Sequence, residues 1–493
     1  MVESTPKFQT LEKESYLAIK DQLPNSLFKK NRARFIKLFK ETVQVNDSKR
    51  AISVFKGANE VPLYSSDVAY PEYQEAFFYY LFGVHEMDAY GVIDFNQEKA
   101  ILFVPKLDNL YKIWMTVMTR EDYATKYDIE VRQLSELQEY LATEASAETN
   151  TTVYVNQGVN SDSGLTTQIP EAQYLTGLKV DNEVMHDILS EARVIKNDDE
   201  ILAMRWASQI TAEAHVNVLK NVKPAMRESQ IESFFNFHGQ QNYYTGRVAP
   251  YLSICGCGPT AATLHYHDND KTLRDGQTML TDQGHSLHHY CSDVTISFPV
   301  NGKFTEKQAQ IYSLVLKASR AVFNKLAPGI NWVDMHLLAE RIILEGLVEL
   351  GCLTGDVQEM IDKRIGFIFQ PHGLGHFIGL DCHDVGGYLH NTPKRNQAPG
   401  LKNIRTARTM QAGMVVTIEP GCYFRDFLIE GQIPKEFYEF ELKYLNVEKI
   451  KEYQAEVSGV RIEDVVLVTE TGCENLSHDI PRTVEEIEKC MAG

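Results

Sequence analysis

Two periods of apolar residues run through the first part of the chain. The stretches AISVFKG, YGVIDF, KAILFVPKL and TTVYVN are short, apolar and rich in β-branched and aromatic residues, the pattern of strands buried on one or both faces. RARFIKLFKETVQV instead spaces its apolar residues three and four apart, which predicts an amphipathic helix. Residues 1–185 therefore predict a smaller N-terminal α/β domain with a mixed sheet. The polar stretch ATEASAETN before the last of these strands reads as a surface loop.

The pattern changes at EARVIKNDDEILAMRWASQITAEAHVNVLKNV, where Asn197 or Asp198 can cap a long helix with acidic residues in its first turn. Residues 186–198 read as a linker, and 199–493 as a second, larger domain. Beyond that point, helical stretches (ESQIESFFNFHGQQ, TEKQAQIYSLVLKASRAVFNKLAPG, WVDMHLLAERIILEGLVELG) mix with β runs (TMLTD, SDVTISFP, MVVTIEPGCYF, GVRIEDVVLVT) in no strict alternation. That order predicts an α+β arrangement around antiparallel strands rather than a doubly wound sheet.

Length and composition narrow the function classes. A chain of 493 residues exceeds one ordinary core, so two domains are expected. A net charge of −18 argues against nucleic acid or an anionic membrane as partner. No run of 18 or more apolar residues could span a bilayer, and MVESTPKFQTLEKESY has no signal-like apolar core, so a cytoplasmic location is expected. All eight cysteines lie at or after Cys255 without a C-x-x-C pair, which reads as free thiols in a reducing compartment.

The candidate chemistry lies in charged residues that do not suit their strands. Asp282 ends TMLTD and Asp293 opens DVTISFP; folded back as a hairpin, their carboxylates approach and repel unless a cation lies between them. Each could equally be a turn residue. Glu419 in VVTIEPG and Glu463 in GVRIEDVV each follow an isoleucine in an apolar run, where an unpaired charge costs several kcal/mol. The alternatives are a strand-end position for Glu419 and an ion pair with Arg461 for Glu463. HGLGH carries His372 and His376 four apart, but Gly373 and Gly375 make it a loop rather than a zinc helix. With His376, the four carboxylates form an oxygen-rich set that favours manganese, cobalt or iron over zinc, and five ligands suit two ions about 3.5 Å apart. The glycines would let the loop approach the metals.

In order along the chain stand T-D-x-G, S-D-V-T-x-S-F-P, H-G-L-G-H-F-I-G-L-D-x-H-D-V-G-G, T-I-E-P-G and G-V-R-I-E-D. This pattern resembles the pita-bread metallopeptidases, the creatinase and methionine aminopeptidase fold, and within them the prolidases, or Xaa-Pro dipeptidases. YGVID, LFVPKL, LKNIRTAR and PRTVEEIEKCMAG extend the likeness over most of the chain. The resemblance implies that a dinuclear centre, most simply two Mn2+ ions held by Asp282, Asp293, His376, Glu419 and Glu463, hydrolyses dipeptides ending in proline or hydroxyproline through a bridging hydroxide. Glu419 would also shuttle a proton, and His265, His372 and His383 would serve catalysis. Arg405 would bind the proline carboxylate, with His265, His383, Tyr251 and Trp114 also touching substrate. Trp114 would come from the partner subunit of a homodimer. Aminopeptidase P, which accepts longer Xaa-Pro peptides, is the alternative; a non-catalytic binding protein on the same fold is a remote one. His267, His285, His288 and His289 read as solvated loop residues, and Cys382 is expected to touch no metal ligand.

Overall fold

The computed structural model describes residues 11–46, 48–145, 150–246, 248–432 and 441–493, and the chain divides into two compact units. The smaller unit is Ala18–Glu200; the larger is Ile201–Gly493 together with Met1–Leu17. The division thus falls inside the helix Asp198–Asn221 rather than at a linker over 186–198, since Met185–Val194 is itself a helix. Asn197 makes the cap: its side chain accepts from the backbone N–H groups of Asp199 and Glu200, while Glu200 accepts from that of Asn197.

In the smaller unit, six strands form one mixed sheet: β1 (Arg50–Lys56), β2 (Tyr90–Asp94), β3 (Lys99–Val104), β4 (Glu130–Gln133), β5 (Thr151–Val155) and β6 (Val180–Asp181), in the order β4-β3-β2-β1-β5-β6. The pairs β1–β2 and β2–β3 are antiparallel and the other three parallel. Every residue of YGVID and TTVYV is buried, because both faces of the sheet are covered. Ile52, Val54, Val92, Ile101 and Phe103 pack with Leu137 and Leu141 of one helix on one side. Phe35 and Phe39 of the helix Pro24–Val43 meet Phe95 on the other, with Phe39 stacked 3.7 Å from it. Of ATEASAETN, residues 142–144 end the helix Leu137–Glu144, and 146–149 lie outside the described residues.

The larger unit uses antiparallel pairing throughout its short sheets. β7 (Ile254–Cys257), β8 (Thr278–Gln283) and β11 (Val294–Pro299) form one sheet, with a small ribbon of β9 (Ser286–Leu287) and β10 (Tyr290–Cys291) between β8 and β11. β12 (Val415–Ile418), β15 (Asp464–Val468) and β16 (Cys473–Asn475) form another, and β13 (Gly421–Tyr423) pairs with β14 (Gly459–Arg461). Four features of this frame position the site. Thr295 lies opposite Asp282, so Asp293, two residues earlier, is the diagonal neighbour on the same face. Gly284 allows the chain to turn between them, since a Cβ there would meet the Ser292 carbonyl oxygen at 1.9 Å. Ile462 and Glu463 fill the break between β14 and β15, where the chain changes partner from β13 to β12. The HGLGH loop runs beside β12: Thr417 N–H donates to the His376 carbonyl, and Glu419 N–H to that of Leu374. A Cβ on Gly375 would meet the Thr417 carbonyl oxygen at 2.0 Å. The glycine is therefore needed for the loop to approach a strand backbone.

Candidate metal centre

Asp282, Asp293 and Glu463, arriving from three separate strand ends, present oxygens within 4.8 Å of one another. A ring nitrogen of His376 and oxygens of Glu419 and Glu463 are as close, so the two groups share Glu463. Asp282, Asp293, His376 and Glu463 are all buried, and Glu419 half-buried. His376 Nε2 lies 3.4 Å from Asp293 Oδ2 and 3.6 Å from Glu419 Oε1. Hydrogen bonds satisfy only part of this set. Thr295 donates to Glu463 Oε2 at 2.7 Å, but Oδ1 of Asp282 and Oδ1 of Asp293 are buried with no hydrogen-bond partner. Buried oxygens without donors are costly, and a hard cation is the partner their chemistry fits.

The one buried cation among them is Arg461, and it does not balance four carboxylates. Its Nη2 donates to Asp282 Oδ2 at 2.6 Å, its Nε to the Thr295 hydroxyl at 2.9 Å, and its Nη1 to the Tyr423 hydroxyl at 2.9 Å; Glu463 is 3.9 Å away. Burial pushes the Asp282 carboxyl up to about 7, with the charge of Asp293 adding and Arg461 opposing. Burial, then Asp293, Glu419 and Asp282, push Glu463 well above the carboxylate range. Asp293 goes the other way: burial raises it, but the hydrogen bond and charge of His376, with Cys382 and Tyr251, outweigh that. His376 is correspondingly raised, because Asp293 and Glu419 overcome its burial. The group is a set of coupled anions crowded into a dry place.

Around it stand the other expected residues. His372 Nε2 meets the Tyr423 hydroxyl at 3.0 Å and its Nδ1 the Gly373 carbonyl at 2.7 Å, with Glu419 Oε2 3.5 Å from Nδ1, so it extends the Tyr423–Arg461–Asp282 chain and borders Glu419. Burial, then Arg461, pushes its imidazole down to about 3, leaving it neutral. The His383 ring stands 4.5 Å from that of His376 at 79°, and burial and His376 hold it at about 2. His265 is exposed and stacks against His267; the charge of Arg405 reaches His265, His376, His383 and Glu419. The Tyr251 hydroxyl is buried within the field of Asp293 and Asp282. Trp114 belongs to the smaller unit, where it is 82% exposed.

Two expectations need correction. Cys382 does touch an expected ligand: its thiol donates to Asp293 Oδ2 at 2.9 Å. His285 is not solvated; it is buried, its ring stacked 4.6 Å from Phe235, and burial takes it down to about 4. Arg461, Tyr423 and Thr295 are the polar residues of the site that sequence reasoning missed or used only as an alternative. Arg461 stood two positions before Glu463 and was weighed solely as its ion-pair partner.

Comparison with known proteins decides the family. The profile of metallopeptidase family M24 matches residues 203–470, and that of the aminopeptidase P N-terminal domain matches 28–154. The chain belongs to metallopeptidase family M24. It is an enzyme of the pita-bread class, a smaller α/β domain followed by the metallopeptidase domain. It is 39% identical over 480 residues to the Xaa-Pro dipeptidase of Homo sapiens, covering 96% of this chain and 94% of that protein. It is 36% identical over 420 residues to the probable Xaa-Pro aminopeptidase PEPP of Phaeosphaeria nodorum, covering 85% and 86%. Among solved structures, zinc-substituted E. coli aminopeptidase P in complex with product aligns with a TM-score of 0.76 and 28% identity, covering 95% of this chain and 98% of that one. No helix among the described residues is long and apolar enough to cross a membrane.

Proposed function

We propose that this chain is an Xaa-Pro dipeptidase with two divalent ions, most simply Mn2+, held by Asp282, Asp293, His376, Glu419 and Glu463. The observation that carries the reading is the crowding of four carboxylates with the guanidinium of Arg461 beside them, two of their oxygens lacking any donor among the described residues. An all-oxygen group beside a group with one imidazole suits manganese. When bound, such ions polarise a scissile carbonyl and lower the pKa of water.

The chain's own residues supply the rest. Glu419 is raised by burial, which suits a carboxyl that takes a proton and passes it to the leaving nitrogen of proline. His372, held by the Tyr423 hydroxyl and the Gly373 carbonyl, forms a neutral wall beside Glu419. His383 and His265 are held neutral at the edge of the carboxylates, where they can donate to a substrate oxygen without adding charge. Arg405, whose charge is felt across these groups, pairs with the free carboxylate of proline; a planar guanidinium fits it bidentately. Such a clamp rewards a substrate that ends at proline.

A homodimer follows the same reading. The smaller unit carries large exposed apolar residues in two segments, Val61, Tyr64 and Val68 in one and Leu110, Ile113 and Trp114 in the other, which is more than scattered exposure explains. Trp114 would reach the substrate of the partner subunit. The eight free cysteines agree with a cytoplasmic, reducing location.

Aminopeptidase P is the second reading, favoured by the structural likeness to the E. coli enzyme. The deciding experiment follows hydrolysis of Gly-Pro beside Gly-Pro-Pro, on protein stripped with chelator and resupplied with Mn2+. Manganese-dependent cleavage of the dipeptide is expected. Preference for the tripeptide would make the enzyme an aminopeptidase P, and silence on both with metal bound would overturn the peptidase reading of the site.

A further inference from the structure

Peptidase chemistry leaves one donor in the site unused, the thiol of Cys382. Asp293, His376, Cys382 and His383 each offer one ligand atom, and these four atoms lie within 4.8 Å of one another. Cys382 Sγ is 2.9 Å from Asp293 Oδ2, and His376 Nε2 is 3.4 Å from the same oxygen. The rings of His376 and His383 converge edge to face at 4.5 Å. Asp293 also has its second oxygen, Oδ1, buried with no hydrogen-bond partner. The cysteine is thus one corner of a built cluster rather than a lone thiol.

We propose that these four residues form a second, zinc-selective binding mode that overlaps the dinuclear centre and competes with it. The reading rests on Asp293 and His376 as metal ligands, as proposed above. One thiolate, two imidazoles and one carboxylate are the donors of a four-coordinate zinc site. The neighbouring group of Asp282, Asp293 and Glu463 is all oxygen and suits a harder ion. Asp293 and His376 belong to both sets, so an ion held by the thiolate withdraws two ligands from the hydrolytic arrangement. The thiol proton now shared with Asp293 is released as the sulfur ligates. Zinc bound this way inhibits; manganese, which has little affinity for sulfur, leaves the thiol as a hydrogen-bond donor to Asp293.

The test uses the full chain, stripped of metal and titrated with Co2+, whose thiolate complexes absorb in the near ultraviolet. The wild type is expected to show a sulfur-to-cobalt band that Zn2+ abolishes by displacement. Cys382→Val and Cys382→Ser are expected to lack it, and Ser keeps a hydroxyl donor for Asp293 so that folding is not in question. In both variants the ratio of Zn2+ to Mn2+ affinity should fall at least about tenfold, the scale on which losing a coordination-sphere residue is felt. Cobalt d–d bands in all three proteins with no difference in the near ultraviolet would overturn the Cys382 mode and leave the dinuclear assignment standing. No cobalt bound by any of them would overturn both.

Discussion

Glu463 and Asp464 are adjacent, equally buried and oppositely supplied. Asp464 opens β15 facing a cationic pocket: Arg482 donates to its Oδ1 at 2.7 Å, Ser477 donates to the same oxygen at 2.9 Å, and Arg320 lies 3.6 Å from Oδ2. Although burial raises it, Arg482 and Arg320 hold its carboxyl below the ordinary range. Glu463, one residue earlier and on the opposite face, meets Asp293, Glu419 and Asp282, and is driven well above that range. One side of this strand end is an anion balanced by two guanidiniums, although its Oδ2 accepts no hydrogen bond. The other faces like charges, and the difference separates a carboxylate that holds the fold from one proposed to hold a metal.

Substitution can break that comparison at either residue. Glu463→Gln should reduce Mn2+-dependent hydrolysis by on the order of a thousandfold or more, the scale of losing a charge that organises a transition state. The metal-free protein should unfold at the same or higher denaturant concentration, because a carboxyl whose ionisation burial and its neighbours oppose has gone. Asp464→Ala should do the reverse. It strands Arg482 in the interior at a cost of about 3–5 kcal/mol, whether or not metal is present. Denaturant midpoints with and without chelator distinguish the two; a large loss of metal-free stability in Glu463→Gln would contradict the assignment.

The proposed ligands stood out in the sequence for the same reason that the comparison works. A charge inside an apolar run is expensive, so Asp293, Glu419 and Glu463 stood out before any distance was known. The sequence was silent where the answer depended on which segments pair. Arg461 joins Tyr423 because β14 lies antiparallel to β13, and those strands are nearly forty residues apart in the chain. Cys382 looked inert because only the fold places it on Asp293. His285 looked solvated because its neighbours along the chain are polar, whereas Phe235, fifty residues earlier, decides its environment. The mixed and antiparallel sheets were readable from periodicity. The second unit begins at Ile201, two residues from the expected 199, but inside a continuous helix, so the separate linker was what periodicity misplaced.

Metal linkage gives a smaller effect on the same comparison. Mn2+ at a hundred times its dissociation constant should stabilise the wild type by about 2.7 kcal/mol, because it binds the folded chain and not the unfolded one. The increment should disappear in Glu463→Gln. In an Asp464→Ala protein that still folds it should persist, since that carboxylate faces away from the ions. An equal increment in all three proteins, read from thermal or denaturant melts, would show that the stabilising metal sits elsewhere.

Two buried imidazoles extend the contrast to a group with no anion to pair with. His376 is raised because Asp293 and Glu419 outweigh its burial; His336, on the helix Trp332–Glu349, is pushed down to about 3 by burial and then by Arg364. Glu340, one turn further along that helix, is engaged by Arg364 at 2.8 Å. With a folded-state value below the unfolded value near 6.5, the unfolded chain takes up the proton first. The contribution of His336 is therefore complete above pH 6.5 and is lost as the pH falls from there towards 3. The slope is at most about 1.4 kcal/mol per pH unit for one proton. His336→Leu should flatten the stability profile of the chelated protein by up to that amount between pH 6.5 and 5. Taking the difference from wild type removes the titration of the carboxylate cluster, which both proteins share. Parallel profiles would mean that His336 is not held neutral, and that burial alone does not set the charge of an imidazole in this fold.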